Sequence, residues 1–175
     1  MKKLFVLSLL ISGLISGMKA TAQDQDKSKR PSPPAKVTQK IPGGATISID
    51  YSQPSLKGRT IGKDIEPMEG KVWRTGANEA TVFESDKDIT IDGKKLPAGK
   101  YGLFTVFKGS EVTFIFNKTW KQWGAFKYSE SDDILRVKSK AVVADVVSEK
   151  LTFKIDAKGR VSLLWGDKKV DFVVK

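Results

Sequence analysis

The sequence of 175 residues contains no cysteine and no histidine. Without histidine a catalytic triad of serine, histidine and aspartate cannot be built, and without cysteine there is no thiol nucleophile. A tetrahedral zinc site would have to use carboxylates alone. We therefore predict no catalytic residue, no metal site and no cofactor, and an enzymatic function is less favoured than a noncatalytic one.

Long apolar runs are also scarce, and the longest one lies at the N-terminus. Lys2 and Lys3 precede an apolar stretch over residues 4–15, and Ala20, Thr21 and Ala22 form a small-residue cleavage motif. The stretch is shorter than the roughly 20 residues that a membrane-spanning helix needs. We expect residues 1–22 to be a signal peptide, with export to the periplasm or secretion after cleavage and no membrane insertion.

Acidic residues are fewer than basic ones, since the sequence contains 31 lysines and arginines but only 20 aspartates and glutamates. Cleavage of the signal peptide would remove three of the basic residues and leave a net charge of about +8. Such a surface promotes solubility and attracts anionic polymers of the cell envelope. We do not expect nucleic acid as a partner, because the protein is predicted to be exported. In addition, the acidic residues Glu130, Asp132 and Asp133 directly follow the aromatic segment of residues 118–128.

Residues 23–40 have little apolar character. They combine charges with three prolines, and Val37 is their one large apolar side chain. Such a segment buries too little surface to offset the entropy of ordering it. We therefore expect residues 23–40 to form a disordered linker.

From residue 41 onward the apolar residues alternate with polar ones. Ile47, Ile49 and Tyr51 illustrate this period of two, which is typical of strands with one buried face. The pattern predicts strands over residues 47–51, 80–84, 88–91, 100–107, 112–116, 134–140, 141–147, 151–155, 161–165 and 170–174.

Turn residues separate these strands at intervals of about ten residues. Asp92 and Gly93 form a strong hairpin signal, and other glycine-containing turns occur near Gly99, Gly109 and Gly159. No helical period interrupts the pattern. The sequence predicts one all-β domain over residues 41–175, an antiparallel β-sandwich or, as the alternative, a flattened β-barrel.

A polar turn between two predicted strands is the first candidate binding site. It contains Arg74, Asn78 and Glu79 around Gly76. An arginine fork, an amide and a carboxylate are suited to a small polar ligand. Alternatively, Arg74 pairs internally with Glu79 or Asp133, and Asn78 fixes the backbone of the turn.

The segment KTWKQWGAFKY, residues 118–128, is the second candidate. It presents Trp120, Trp123 and Tyr128 between lysines. Exposed aromatic faces stack on sugar rings, and the lysines would favour an anionic polysaccharide. Alternatively, one of the indoles folds inward and covers the core.

Several blocks of the sequence together resemble the bacterial domain-of-unknown-function family 2911. The similarity runs in order from about residue 40 to residue 156, and residues 72–81 are its most specific part. The other blocks are residues 49–55, 57–59, 96–105, 123–124 and 133–137. The resemblance implies an exported, β-rich protein without an assigned activity.

We therefore expect a noncatalytic exported binding or structural domain, with a small polar molecule or an envelope glycan as its ligand. The alternative is a hydrolase of envelope glycans that uses carboxylates, with Glu79 as acid or base. The protein is expected to be a monomer or a weak homo-oligomer. The two candidate loops would form one site only if the fold brings them together.

Overall fold

The computed structural model describes residues 26–175. The predicted signal peptide and the first residues of the predicted linker lie outside this range. The described chain contains two short 3-10 turns, Lys27–Lys29 and Glu130–Asp132. Its strands are β1 (Pro34–Lys40), β2 (Thr46–Ser52), β3 (Val72–Trp73), β4 (Val82–Ser85), β5 (Ile89–Ile91), β6 (Lys94–Leu96), β7 (Gly99–Lys108), β8 (Glu111–Asn117), β9 (Asp133–Ile155) and β10 (Arg160–Val173).

Eight strands form one antiparallel sheet. The order is β1-β2-β4-β7-β8-β9-β10, with β3 paired to β7, while β5 and β6 form a separate hairpin. The large sheet curls into a half barrel. The all-β antiparallel prediction is confirmed, and the curled sheet is consistent with either a sandwich or a flattened barrel. None of the helical turns in residues 26–175 is long and apolar enough to cross a bilayer.

The main core lies on the concave side of the sheet, as the alternation predicts. On β8, the side chains of Phe114 and Phe116 are fully buried. Both rings contact Phe172 of β10 edge to face, with centroid distances of 4.8 and 5.7 Å. The contacts join distant parts of the chain, so the sheet must curl to bury its aromatic face.

The curl is closed where the segment after β2 meets the distal half of β9. The amide of Leu56 donates to the carbonyl of Glu149 at 2.9 Å, and the amide of Leu151 donates to that of Pro54 at 3.0 Å. The ring of Tyr51 packs against Phe153 at 5.1 Å. The segment after β2 and the distal half of β9 are thereby joined through backbone hydrogen bonds and an aromatic contact.

Strands β9 and β10 are longer than expected. The separate strands predicted over residues 134–140, 141–147 and 151–155 are one continuous strand of 23 residues. The strands predicted over residues 161–165 and 170–174 likewise belong to β10, which runs on to residue 173. The pairing register shifts on both sides of Gly166, so irregular pairing, rather than a loop, connects the halves.

The expected disordered linker over residues 23–40 is wrong for residues 34–40. These residues form β1 and pair with β2 along its whole length, from Pro34 opposite Ser52 to Lys40 opposite Thr46. Within β1, the side chains of Ala35 and Val37 are partly buried and pack against the core. The composition was misleading because an edge strand is held mainly by backbone hydrogen bonds, and the prolines stand at or before its first residue, where no ladder bond is lost.

We predict that inward and outward positions of β1 respond differently to a charge. Val37→Asp places a carboxylate against the core and should lower the free energy of unfolding by about 1–3 kcal/mol. Thr38→Asp, at the exposed neighbouring position, should change it by less than about 0.5 kcal/mol. Urea denaturation measures both variants. Equal, negligible effects would mean that β1 contributes nothing to the fold.

Candidate functional site

The two candidate loops are neighbours in the structure. Residues 74–81, the glycine turn, connect β3 to β4, and residues 118–129, the aromatic loop, follow β8. The amide of Ala80 donates to the carbonyl of Gln122 at 3.0 Å, and the amide of Gly124 donates to that of Asn78 at 2.9 Å. Glu79 and Trp123 form an isolated antiparallel β-bridge. The fold thus joins two segments that are about forty residues apart in the sequence.

The glycine turn is shaped by close backbone packing. The indole nitrogen of Trp73 donates to the carbonyl of Gly76 at 3.0 Å. A Cβ atom at Gly76 would lie 2.9 Å from the hydroxyl of Thr81 and 3.0 Å from the carbonyl oxygen of Ser52, so only glycine fits. Asn78 adopts a φ of 56°, a left-handed conformation that asparagine tolerates. The turn is therefore rigid and fixes the direction of Glu79.

Buried amide side chains hold the aromatic loop from within. Gln122 donates to the carbonyl of Thr119 at 2.6 Å and accepts from the amide of Lys127 at 2.9 Å. Asn117 donates to the carboxylate of Asp133 at 2.7 Å and accepts from the amide of Thr119 at 2.8 Å. Neither residue was a sequence candidate, because a polar residue that serves the backbone has no periodic signature. These bonds give the loop a defined shape.

Tyr128 lies at the base of the aromatic loop. Its hydroxyl donates to Asp133 at 2.9 Å and accepts from the guanidinium of Arg136 at 2.9 Å. Its ring packs against Phe104, with centroids 5.2 Å apart. Burial, together with the hydrogen bond to Asp133, raises the pKa of Tyr128 to about 12. Tyr128 therefore anchors the aromatic loop to β9.

The aromatic loop covers a small apolar cluster on the convex side of the sheet. Phe104 and Ile115 are fully buried there although they point away from the main core. Ala80 from the glycine turn completes the buried cluster, and Tyr128 packs against it. The burial of this cluster brings the aromatic loop and the glycine turn to one place.

An open cleft of about 540 Å³ lies between the two loops. The indole of Trp123 is 53% exposed beside it. The ammonium of Lys100 stands 5.5 Å from the ring centroid of Trp120. The residues that line the cleft are Lys27, Glu79, Ala80, Val82, Trp120, Lys121, Gln122, Trp123 and Lys127. Of the six sequence candidates, Glu79, Trp120 and Trp123 meet in this cleft.

A segment before β1 contacts Glu79. Arg30 donates to both carboxylate oxygens of Glu79, at 3.0 and 2.9 Å, and Lys27 lies 3.3 Å from one of them. The guanidinium of Arg30 is 5.9 Å from the ring centroid of Trp123, and Asn78 donates to the carbonyl of Ser32 at 2.9 Å. Sequence reasoning missed both basic residues because they lie in the predicted linker.

These contacts shift the pKa of Glu79. Partial burial alone would raise the pKa of this carboxyl, but the hydrogen bonds from Arg30 and Lys27 outweigh it and lower the pKa. The carboxylate is therefore ionised at neutral pH. It is suited to accepting hydrogen bonds rather than to donating a proton.

Arg74 lies apart from the cleft. Its carbonyl accepts the amide of Thr81 at 3.2 Å, which closes the glycine turn. Its Nε atom is buried and has no hydrogen-bond partner among residues 26–175. Burial lowers the pKa of Arg74, and the nearby Glu66 only partly opposes this. The expected internal pairing of Arg74 with Glu79 or Asp133 is not observed, since Glu79 pairs with Arg30 and Asp133 with Arg136.

Acidic groups around the cleft are engaged by bases. Asp50 lines a neighbouring cavity of about 170 Å³ with Glu79, and it lies 2.9 Å from the ammonium of Lys36. Asp132 is 3.1 Å from Lys118. Within residues 26–175 no group of three or more acidic side chains could hold a metal ion. The groups free to meet a ligand are mainly indoles and lysines.

The structure defines an all-β domain whose curled sheet carries a cleft of aromatic and basic residues on its convex side. The chain belongs to the family described as protein of unknown function DUF2911, whose model matches residues 32–174. The match confirms the resemblance seen in the sequence, and it extends over β1 and both loops. No match is found among curated proteins or among solved structures.

We predict that Arg30 lowers the pKa of Glu79. In native protein this carboxyl pKa, followed by NMR, should lie below its reference value of 4.5, and Arg30→Ala should raise it. Because folding lowers this pKa, the stabilising effect is present above the reference value of 4.5 and is lost as the pH falls through the folded pKa. Lys29→Ala is the control, since Lys29 pairs with Asp26. A native pKa above 4.5 would contradict the contact.

We predict an alkaline loss of stability that depends on Tyr128. Its folded pKa of about 12 exceeds the reference value of 10.0, so the folded state holds its proton more tightly. The resulting stability is complete below pH 10 and is lost as the pH rises towards about 12. Urea unfolding at several pH values should show a smaller alkaline slope for Tyr128→Phe. Part of the slope should remain, because burial also raises the pKa of Tyr51 and Tyr101.

Proposed function

We propose that this protein is a noncatalytic binding domain of the cell envelope, reached by export, and that its cleft takes an anionic oligosaccharide. The observation that carries this proposal is the exposed indole of Trp123 beside lysines in an open cleft of about 540 Å³. The cleft volume falls in the range of small-ligand sites. The volume of the cleft and the residues that line it are compatible with an acidic sugar chain.

The aromatic groups would provide the apolar contact. Trp123 presents its ring on a backbone that is bridged to Glu79, so stacking requires little further ordering. Trp120 lines the same cleft. An indole offers a large flat surface to the carbon-bound hydrogens of a sugar ring, and a rigid aromatic side chain loses little entropy on binding. Together the indoles would select for a pyranose face.

The basic groups would provide the preference for negative charge. Lys121 and Lys127 line the cleft, whereas the carboxylate of Glu79 is already paired with Arg30 and Lys27. Both Lys121 and Lys127 are exposed, and neither is within 4.0 Å of an acidic group in the described chain. Uronic acid or sulfate groups on a sugar chain would complement these ammonium groups.

Hydrolysis receives less support from the same contacts. A glycosidase needs one carboxyl group that is protonated at the working pH, with a raised pKa. The pKa of Glu79 is lowered, and the neighbouring acid, Asp50, is paired with Lys36. The groups that favour binding are thus also those that disfavour acid catalysis.

The proposal is tested by calorimetric titration with acidic and neutral oligosaccharides of equal length. We expect uronic or sulfated chains to bind and neutral chains to bind more weakly. Trp123→Ala should weaken binding about tenfold, because stacking on the indole is lost. Replacing both Lys121 and Lys127 by glutamine should reduce the dependence of binding on salt.

Phe126→Ala provides a matched control in the same loop. Phe126 is 86% exposed but does not line the cleft, so its loss should leave the affinity within about twofold of the wild type. The proposal fails if no acidic oligosaccharide binds. It also fails if Trp123→Ala and Phe126→Ala have the same effect.

A further inference from the structure

A short segment that precedes β1 lies against the cleft, and we name its residues 26–33 the strap. None of these residues is buried, and none belongs to either apolar cluster. Within residues 26–175, the hydrogen bonds and ion pairs that the strap makes with later residues go to Gln53, Asn78 and Glu79. The strap is therefore held by polar contacts, and two of its three partners belong to the glycine turn.

Backbone hydrogen bonds fix the position of the strap. The amide of Gln53 donates to the carbonyl of Pro33 at 2.8 Å, which continues the pairing of β1 with β2 by one residue. The side-chain amide of Asn78 donates to the carbonyl of Ser32 at 2.9 Å. Neither bond involves a charged group. Removal of a charged side chain from the strap should therefore leave its backbone in place.

The side chains of the strap bring two cations to one carboxylate. Arg30 donates to both oxygens of Glu79, and the ammonium of Lys27 lies 3.3 Å from one of them. Ion pairs as exposed as these contribute little to the stability of a fold. Their larger consequence is the local charge. Together the three side chains carry one excess positive charge, whereas Glu79 alone would give the cleft a negative one.

This charge lies next to the indole that is proposed to stack on a sugar ring. Glu79 and Trp123 are joined by a β-bridge, and the guanidinium of Arg30 is 5.9 Å from the ring centroid of Trp123. An acidic group on a sugar that stacks on Trp123 would lie near the carboxylate of Glu79. Like charges at such a distance repel each other unless a cation intervenes. Arg30 stands beside both groups and supplies that cation.

We propose that the strap is part of the ligand site and that Arg30 is its specificity-determining residue. By pairing with Glu79, Arg30 removes the repulsion that this carboxylate would exert on an acidic sugar chain. The inference rests on the proposed function of the cleft, and it assigns the choice between acidic and neutral chains to a segment outside the two loops. Binding of a neutral chain should not depend on Arg30.

Calorimetric titration with a galacturonic acid hexamer and a neutral galactose hexamer tests the role of Arg30. Arg30→Gln should weaken binding of the acidic hexamer about fivefold and leave binding of the neutral hexamer within about twofold of the wild type. Lys29→Gln is the matched control, because it removes the same charge from the same strap. Lys29 pairs with Asp26 and does not line the cleft, so this variant should bind both hexamers like the wild type.

Variants of Glu79 separate the effect of charge from that of shape. Glu79→Gln should strengthen binding of the acidic hexamer, because Lys27 and Arg30 are then left without their carboxylate. Combining Arg30→Gln with Glu79→Gln removes both members of the pair and should return the affinity to within about twofold of the wild type. A strap with a purely structural role would instead weaken binding of both hexamers in all three variants. That result would overturn the proposal.

Hydrogen exchange of the Gln53 amide, followed by NMR, shows whether the strap stays docked when no sugar is present. This amide is bonded to Pro33, so its protection should be the same in Arg30→Gln and in the wild type. Loss of the protection in Arg30→Gln would assign any change in binding to displacement of the strap. The proposed role of the charge would then be wrong.

The two proposals fail in different ways. A wild type that binds no acidic hexamer overturns the proposed function, and the role of Arg30 with it. A wild type that prefers the acidic hexamer, together with an Arg30→Gln variant that keeps the full preference, overturns the role of Arg30 alone. Loss of the preference in Arg30→Gln and its return in the double variant support both.

Discussion

The structure depends on the fact that β7 and β8 bury apolar side chains on both faces. The concave face holds the main core, with Leu103, Phe114 and Phe116. The convex face holds Phe104 and Ile115, which need a separate cover. The aromatic loop provides that cover, and the apolar area removed from water stabilises its position. The site exists because one sheet has two buried faces.

Polar contacts fix the conformations of the two loops that this burial brings together. The buried amides of Asn117 and Gln122 satisfy the loop backbone, so the loop keeps one shape without regular secondary structure. The glycine turn is similarly rigid, because Gly76 lets it approach the backbone of Ser52. The cleft is therefore formed between two rigid segments, and Arg30 adds a cation that lowers the pKa of Glu79. Such preformed geometry lowers the entropy lost on binding a ligand.

Much of the fold was readable from the sequence. The period of two from residue 41 onward and the glycine turns gave the all-β antiparallel class and the approximate positions of most strands. The pattern could not reveal that β9 is continuous, since an irregular register within a strand resembles a break between strands. It also missed β1, where backbone pairing rather than apolar content holds the chain. Glu79, Trp120 and Trp123 were identified as candidates, whereas Arg30 and Lys27 were hidden in a polar segment.

The sequence by itself determined the chemistry that is possible. It excluded thiol and imidazole catalysis, and it supplied the alternation and the indoles. Tertiary structure alone decided which of these groups meet. It placed the glycine turn beside the aromatic loop and separated Arg74 from the cleft. The reason is physical: periodicity records which face of a strand is buried, but the curl of the sheet sets which distant segments share that burial.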